Sequence, residues 1–209
     1  MNWQKTEKVK YDRAYATGYY IPRIGNVVYT NILKYFNLDK IDTILDVGCG
    51  YGGSINALWQ LGKKAYGIDI SDGPEEVWKT WEIDKYCQVA SADSIPFKNN
   101  KFDLVTCIDM LEHIPCQSVQ DVLREMSRVG RHDFVFCICT EEESVKVEEE
   151  VLHICIHDAK WWTEKIKKVG YIINAISERN NHIIILAAKD GTDMLLQRKW
   201  TNIQEEIKC

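Results

Sequence analysis

Runs of about 18 apolar residues, the length that a membrane-spanning helix needs, are missing from this 209-residue sequence. The opening Met-Asn-Trp-Gln-Lys-Thr-Glu-Lys also lacks the apolar core of a secretory signal. A cytoplasmic location without membrane insertion is therefore expected. Positive charge is not in excess: the formal net charge is -5, with acidic runs at Glu141–Glu143 and Glu148–Glu150. Attraction to phosphate backbones is thus weak, and nucleic acid is not an expected partner. Low-complexity tracts of the kind that stay disordered are absent too. The eight cysteines lack a metal-ligand pattern. Cys107, Cys137, Cys139 and Cys155 sit inside apolar runs, where reduced, buried thiols are expected. Cys137 and Cys139 would share one face of a strand with no second Cys/His cluster to support them, so no metal site is expected.

What is present is an ordinary globular composition, 45% hydrophobic and 27% charged, in a length suited to one α/β domain. The expected division is an N-terminal helical cap over 1–40, a core over 41–189 and a tail over 190–209. Pro22, Ile24, Val27, Val28, Ile32 and Tyr35 carry the stripe of a helix over 21–36. Tyr11, Tyr15, Tyr19 and Tyr20 precede it, aromatic residues with polar tips that suit a lid ordered on binding as well as core and surface positions.

From Thr43 the pattern alternates between short apolar runs and amphipathic segments, the signature of a parallel sheet covered on both faces. Strands are predicted at Ile44–Val47, Lys64–Asp69, Tyr86–Ala90, Leu104–Ile108 and Phe134–Cys139. Helices are predicted around Ile55–Trp59, Glu75–Thr80 and Val119–Met126, and after Asp158. Two last apolar runs, Tyr171–Ile176 and His182–Ala188, are too close together for a crossover helix between them. They predict an antiparallel hairpin. An all-parallel nicotinamide-binding sheet fits this poorly.

The strongest local signal is Leu45-Asp46-Val47-Gly48-Cys49-Gly50-Tyr51-Gly52-Gly53, between the first predicted strand and the first helix. Gly48, Gly50 and Gly53 permit a tight turn and a close approach of backbone to ligand, with the helix amides facing the ligand's polar end. Asp69 ends the second strand, where a carboxylate accepts hydrogen bonds from ribose hydroxyls. Asp46 discriminates between ligands. A carboxylate beside the glycines opposes a pyrophosphate but favours an ammonium and a sulfonium. Ile108 and Asp109 lie at the carboxyl end of the fourth strand, where open α/β sheets bind ligands.

Together with Gly67-Ile68-Asp69-Ile70-Ser71, and Phe102-Asp103-Leu104-Val105 followed by Leu111-Glu112-His113-Ile114, this loop resembles the successive motifs of class I S-adenosylmethionine-dependent methyltransferases. The resemblance covers about residues 41–188, with small-molecule, ubiquinone-biosynthesis-type enzymes the most similar. It implies a Rossmann-like three-layer α/β sandwich whose seven-stranded, mostly parallel sheet has its last strand antiparallel. It implies S-adenosyl-L-methionine as cofactor and S-adenosyl-L-homocysteine as product. Asp46 and the Gly48–Gly53 loop, Cys49 included, would hold the methionine part, and Asp69 with Ile70 the ribose. Ser91-Ala92-Asp93-Ser94 resembles the adenine loop, with Asp93 accepting from the exocyclic amine.

The acceptor side is less legible. Ile108-Asp109-Met110-Leu111 is not the Asn/Asp-Pro-Pro-aromatic motif of nucleic-acid amino methylation, and Pro115-Cys116 lies too late for a cytosine-C5 nucleophile. His113 and His157 are the candidate catalytic bases, since imidazole titrates near neutrality; both also suit plain hydrogen-bonding roles. The expected activity is methyl transfer to oxygen or nitrogen of a small acceptor by a monomer or homodimer. The alternative is a catalytically silent scaffold or partner subunit on the same fold.

Overall fold

The computed structural model describes residues 3–18, 33, 36–141, 151–179 and 181–189. Seven strands form one sheet: β1 (Thr43–Val47), β2 (Lys64–Asp69), β3 (Cys87–Val89), β4 (Phe102–Ile108), β5 (Gly130–Cys139), β6 (Tyr171–Arg179) and β7 (His182–Lys189). Their order is β3-β2-β1-β4-β5-β7-β6. The pairs from β3 through β5 are parallel. β7 runs antiparallel to both β5 and β6, so the hairpin expected at the end of the chain is present and its second arm lies inside the sheet.

Five helices accompany it among the described residues: α1 (Trp3–Ala16), α2 (Gly53–Gln60), α3 (Glu75–Thr80), α4 (Val119–Val129) and α5 (Ala159–Lys167). Strand side chains alternate between two cores because successive Cβ atoms point to opposite faces. Ile44, Ile184 and Leu186 join Ile55 and Leu58 of α2 and Trp78 of α3 on one face. Leu45, Val47, Ile183 and Ile185 join Val122 and Met126 of α4 and Trp162 and Ile166 of α5 on the other. This is the three-layer sandwich. Helix ends follow local chemistry. The Asp158 carboxylate accepts from the Trp161 amide to cap α5, and Gly170 takes φ 99° just beyond its end.

The N-terminal region departs from expectation. The helix anticipated over 21–36 falls largely outside the described residues, as do Tyr19, Tyr20 and the 190–209 tail. Instead α1 stands at Trp3–Ala16, with Glu7, Lys10 and Ala14 as its buried residues. Glu7 and Lys10 are ion-paired within the helix. A helix that buries a charged pair carries no apolar stripe, which is why it was not legible. Helix α1 lies over the carboxyl edge of the sheet, where the first loop also opens.

Candidate donor and acceptor site

The loop after β1 is built around backbone that turns back on itself. Gly48 has φ 81° and Gly52 φ 75°, a region that L side chains rarely adopt. A Cβ on Gly48 would stand 2.6 Å from Met110 Cγ, and one on Gly52 2.6 Å from Ile83 Cδ1. Gly53, expected to serve the turn, is the first residue of α2, and the left-handed role belongs to Gly52. The Gly48 and Cys49 amides both donate to Ile68 O at 2.9 Å, which pins the loop to the end of β2.

Two buried carboxylates flank this turn. Asp46 accepts from Ser54 Oγ at 2.6 Å and from Thr106 Oγ1 at 2.9 Å. Asp69 accepts from the Gly50 amide at 2.9 Å and from the Ser71 amide at 3.0 Å. Burial pushes the Asp69 carboxyl up to about 6 against these hydrogen bonds, and the charge of Asp46 adds to the rise. Each carboxylate oxygen has two lone-pair sites, so Asp69 keeps acceptor capacity beyond its amides. Ile70 follows at the strand end. Asp93 accepts from Ser91 Oγ at 2.6 Å in the loop that also holds Ala92 and Ser94. The two acidic groups and the Cβ-free cradle fit a ligand with a cationic centre and a ribose, as S-adenosylmethionine has.

Helix α1 reaches every part of this edge. Gln4 Nε2 donates to Asp93 Oδ2. Lys8 Nζ bridges Asp12 at 2.9 Å and Asp72 at 2.8 Å. Ser71 Oγ donates to Asp12 Oδ1 at 2.7 Å. A Cβ built on Gly50 would be 3.3 Å from the Tyr15 hydroxyl, and the Tyr15 ring stands edge-on to Tyr51 at 5.1 Å. The Gln4–Asp93, Lys8–Asp72 and Ser71–Asp12 contacts were missed in the sequence because they join polar side chains 59 to 89 positions apart.

The acceptor side begins where β4 ends. Asp109 has φ 48°, its amide donates to Cys137 O at 2.9 Å, and its Oδ1 lies 3.2 Å from His182 Nε2. Glu112 is fully buried. Its Oε1 accepts from the Cys139 amide at 2.9 Å, while Oε2 has no hydrogen-bond partner. Burial, with the charge of Asp109 next, pushes this carboxyl up to about 8, so at neutral pH it is largely protonated.

His113 is buried beside it, with Nδ1 3.2 Å from Leu152 O and its ring 4.6 Å from that of His153 and 5.7 Å from Tyr11. Burial, and then the neighbouring His153, lowers the His113 pKa to about 3. The ring is neutral and far less basic than free imidazole, which corrects the expectation of an ordinary near-neutral base. His153 Nδ1 lies 2.8 Å from Glu141 O. One ligand-type atom from each of Glu112, His113 and His153 lies within 4.8 Å of the others.

His157, the other candidate base, is grouped with different residues. Its Nε2 is 3.3 Å from Cys116 Sγ and its ring stacks on Trp161 at 3.9 Å. Cys116 and Cys155 form a disulfide, so the expectation that Cys155 is a reduced core thiol is overturned. The two cysteines sit 39 positions apart, and only the packing of the 151–158 segment against the loop after β4 brings them together.

Comparison with known proteins agrees with this geometry. Residues 45–138 match the family model of a methyltransferase domain. The ubiquinone biosynthesis O-methyltransferase of Photorhabdus laumondii subsp. laumondii is 29% identical over 163 residues, 72% of this chain and 68% of that one. The same enzyme of Pseudomonas paraeruginosa is 36% identical over 78 residues, 35% of this chain and 34% of the relative, so that match spans about a third of its length. Among solved structures, the PH0226 protein from Pyrococcus horikoshii OT3 has a TM-score of 0.66 at 19% identity, covering 79% of this chain and 89% of its own. A geranyl diphosphate C-methyltransferase from Streptomyces coelicolor A3(2), solved with S-adenosyl-L-homocysteine, has a TM-score of 0.56 at 15% identity, covering 71% and 72%. No helix among the described residues is long and apolar enough to cross a membrane. The motif loop, the sheet order and these matches together make the chain similar to S-adenosylmethionine-dependent methyltransferases, with residues 45–138 carrying the matched methyltransferase domain.

Proposed function

We propose that the protein transfers the methyl group of S-adenosylmethionine to a hydroxyl of a small acceptor. The observation that carries this reading is the pair of buried carboxylates, Asp46 and Asp69, flanking a loop whose Gly48 admits no Cβ. Asp46 would face the cationic methionine end, Asp69 would accept from the ribose hydroxyls, and Asp93 from the adenine amine. Backbone of Cys49, Gly50, Gly53, Ile70, Ala92, Ser94, Ile108 and Asp109 would complete the donor contacts. S-adenosylmethionine supplies an electrophilic methyl on a neutral leaving group, so the protein's part is orientation more than activation. The contacts of Gln4, Lys8 and Tyr15 with Asp93, Asp72 and the Gly50 turn support a role for α1 as the roof of this site.

Oxygen is preferred over nitrogen as acceptor because the relatives are named O-methyltransferases and because the acceptor end holds Glu112 and His113. A neutral imidazole and a protonated carboxyl orient a hydroxyl by accepting from it and donating to it. His157, held against the disulfide, is not assigned a step in methyl transfer.

A second reading of that end is favoured by one observation. Glu112 Oε2 is buried without a hydrogen-bond partner, and one ligand-type atom from each of Glu112, His113 and His153 lies within 4.8 Å of the others. This is the donor set of a divalent cation held by two histidines and a carboxylate. A bound cation would lower the pKa of an acceptor hydroxyl.

The test is methyl transfer from isotopically labelled S-adenosylmethionine to a panel of phenols, catechols, amines and sugars, with and without added Mg2+, Mn2+ or Zn2+. Labelled ether product supports the reading, and a metal-dependent rate supports its second form. Labelled amine in place of ether would transfer the assignment to nitrogen. Failure of S-adenosylhomocysteine to bind in calorimetry would favour the silent scaffold.

A further inference from the structure

The Cys116–Cys155 disulfide and its neighbours have no part in methyl transfer as proposed above, yet they form an ordered group. The bond joins two segments at a Cα separation of 5.2 Å. One is the loop leaving β4. The other is the 151–158 connection that leads into α5 and carries His153. The sulfurs differ in access: Cys155 is fully buried, whereas Cys116 is half-buried. His157 Nε2 stands 3.3 Å from Cys116 Sγ, and both sulfurs and the imidazole nitrogen lie within 4.8 Å of one another. The Trp161 ring, parallel to His157 within 12°, fixes the imidazole plane. The other described cysteines, Cys49, Cys87, Cys107, Cys137 and Cys139, are all buried thiols.

We propose that Cys116, Cys155 and His157 form a thiol–disulfide exchange site, reduced and reoxidised by a low-molecular-weight thiol and its disulfide, that fixes or releases the rim of the acceptor end. An incoming thiolate attacks the accessible Cys116 Sγ. The protein S–S bond breaks, its electron pair leaves on Cys155 Sγ, and the proton of the incoming thiol passes there by way of His157, which is within reach of both sulfurs. A second thiol then attacks the external sulfur of the mixed disulfide and releases Cys116 as a thiol. One protein disulfide and two external thiols give a protein dithiol and one external disulfide, a balanced two-electron exchange. In the oxidising direction His157 takes the Cys116 proton, the thiolate attacks an external disulfide, and Cys155 closes the bond.

The consequence is mechanical. The 151–158 segment also holds the loop after β4 through the Ile154 and Cys155 amides, which donate to Glu112 O at 2.9 Å, and through Leu152 O beside His113. Opening the bond transfers the anchoring of this segment from a covalent link to hydrogen bonds. The effect on methyl transfer rests on the preceding reading of Glu112 and His113; the exchange chemistry does not.

The experiment equilibrates the purified full chain with glutathione at graded ratios of reduced to oxidised form, followed by acid quench, alkylation and peptide mass spectrometry. After the denaturing quench, alkylation of Cys116 and Cys155 should rise together, in equal amounts, with the share of reduced glutathione, while labelling of the five free thiols Cys49, Cys87, Cys107, Cys137 and Cys139 should not change with the ratio. Amide hydrogen exchange over 151–158 should quicken by about tenfold on reduction. In Cys155→Ser, oxidised glutathione should accumulate as a mixed disulfide on Cys116, and adding His157→Ala should slow its formation by about tenfold at neutral pH. A bond that persists in the folded protein through millimolar reduced glutathione would overturn the proposal. So would independent alkylation of the two cysteines, or unchanged exchange over 151–158. Calorimetry with S-adenosylhomocysteine in both states separates the two ideas: no binding in either state, with the thiols still titrating as a pair, removes the methyltransferase reading and leaves the exchange site standing.

Discussion

Ser71 Oγ donates to Asp12 Oδ1 at 2.7 Å, tying the loop that ends β2 to the helix that roofs the donor edge. Ser71 directly follows the pair Asp69-Ile70, so the roof is latched beside the group assigned to the ribose. Asp12 is also held by Lys8, which makes it the hub of the latch.

Removing the hub should free the roof. A side-chain hydrogen bond of this kind is worth about 0.5–1.5 kcal/mol net, so Asp12→Ala should release S-adenosylhomocysteine about two- to tenfold faster, as stopped-flow displacement would register. Unchanged release would show that α1 does not gate donor exchange.

Asp69 gives the pH prediction. Under the proposed function its carboxyl must be ionised to accept from both ribose hydroxyls, and its raised pKa of about 6 would place the loss of binding at mildly acidic pH. Donor affinity should be level above pH 7 and fall about tenfold per unit below pH 6. The sign for stability is opposite. With the folded pKa above the unfolded value, this group's contribution is complete below about 3.8 and is lost as pH rises through 6. Calorimetric titrations from pH 5 to 8 check the first statement, and thermal melts over pH 3.5 to 7, compared with Asp69→Ala, check the second. Asp69→Ala should itself weaken donor binding by about 2–4 kcal/mol.

Gly48→Ala combines a left-handed backbone with a Cβ 2.6 Å from Met110 Cγ. Strain at such a position costs about 1–3 kcal/mol, so the melting temperature should drop by several degrees and donor binding should weaken. Shortening the obstructing side chain with Met110→Ala removes the Cγ contact but keeps Cβ, 2.9 Å from the new methyl, so it should recover only part of the steric cost and leave the φ part. Full recovery would place the whole cost in the contact.

His113→Ala removes an orienting group rather than an ordinary base. Under the proposed function kcat/KM should fall by about a hundredfold, with S-adenosylhomocysteine affinity held within twofold. A matching loss of donor affinity would mean that His113 serves the donor site.

The sheet was readable because each strand shows the period its place demands. β4 is buried along its length, as a central parallel strand should be, and Leu104, Val105, Cys107 and Ile108 marked it. The short spacing between Ile176 and His182 excluded a crossover and so revealed the reversed strand. Donor-loop positions were legible because glycine and aspartate are tied to backbone geometry over a few residues. The acceptor end was not, because its order arises from meetings such as Glu112 with the Cys139 amide and Cys116 with Cys155. In these each partner is an unremarkable residue in its own stretch of sequence. Helix α1 was hidden for a further reason: it docks through Gln4, Lys8 and Asp12, so its recognition face is polar and mimics a solvated one.

The position of β7 between β5 and β6 bears on how the chain assembles during synthesis. The strand that completes the sheet is the last of the seven to emerge, and until it does the long edge of β5 offers its backbone amides and carbonyls to any extended segment nearby, while β6 waits without a neighbour. A nascent chain halted near residue 181 would therefore be sticky in one defined place. Trapping by chaperones should concentrate on that late interval.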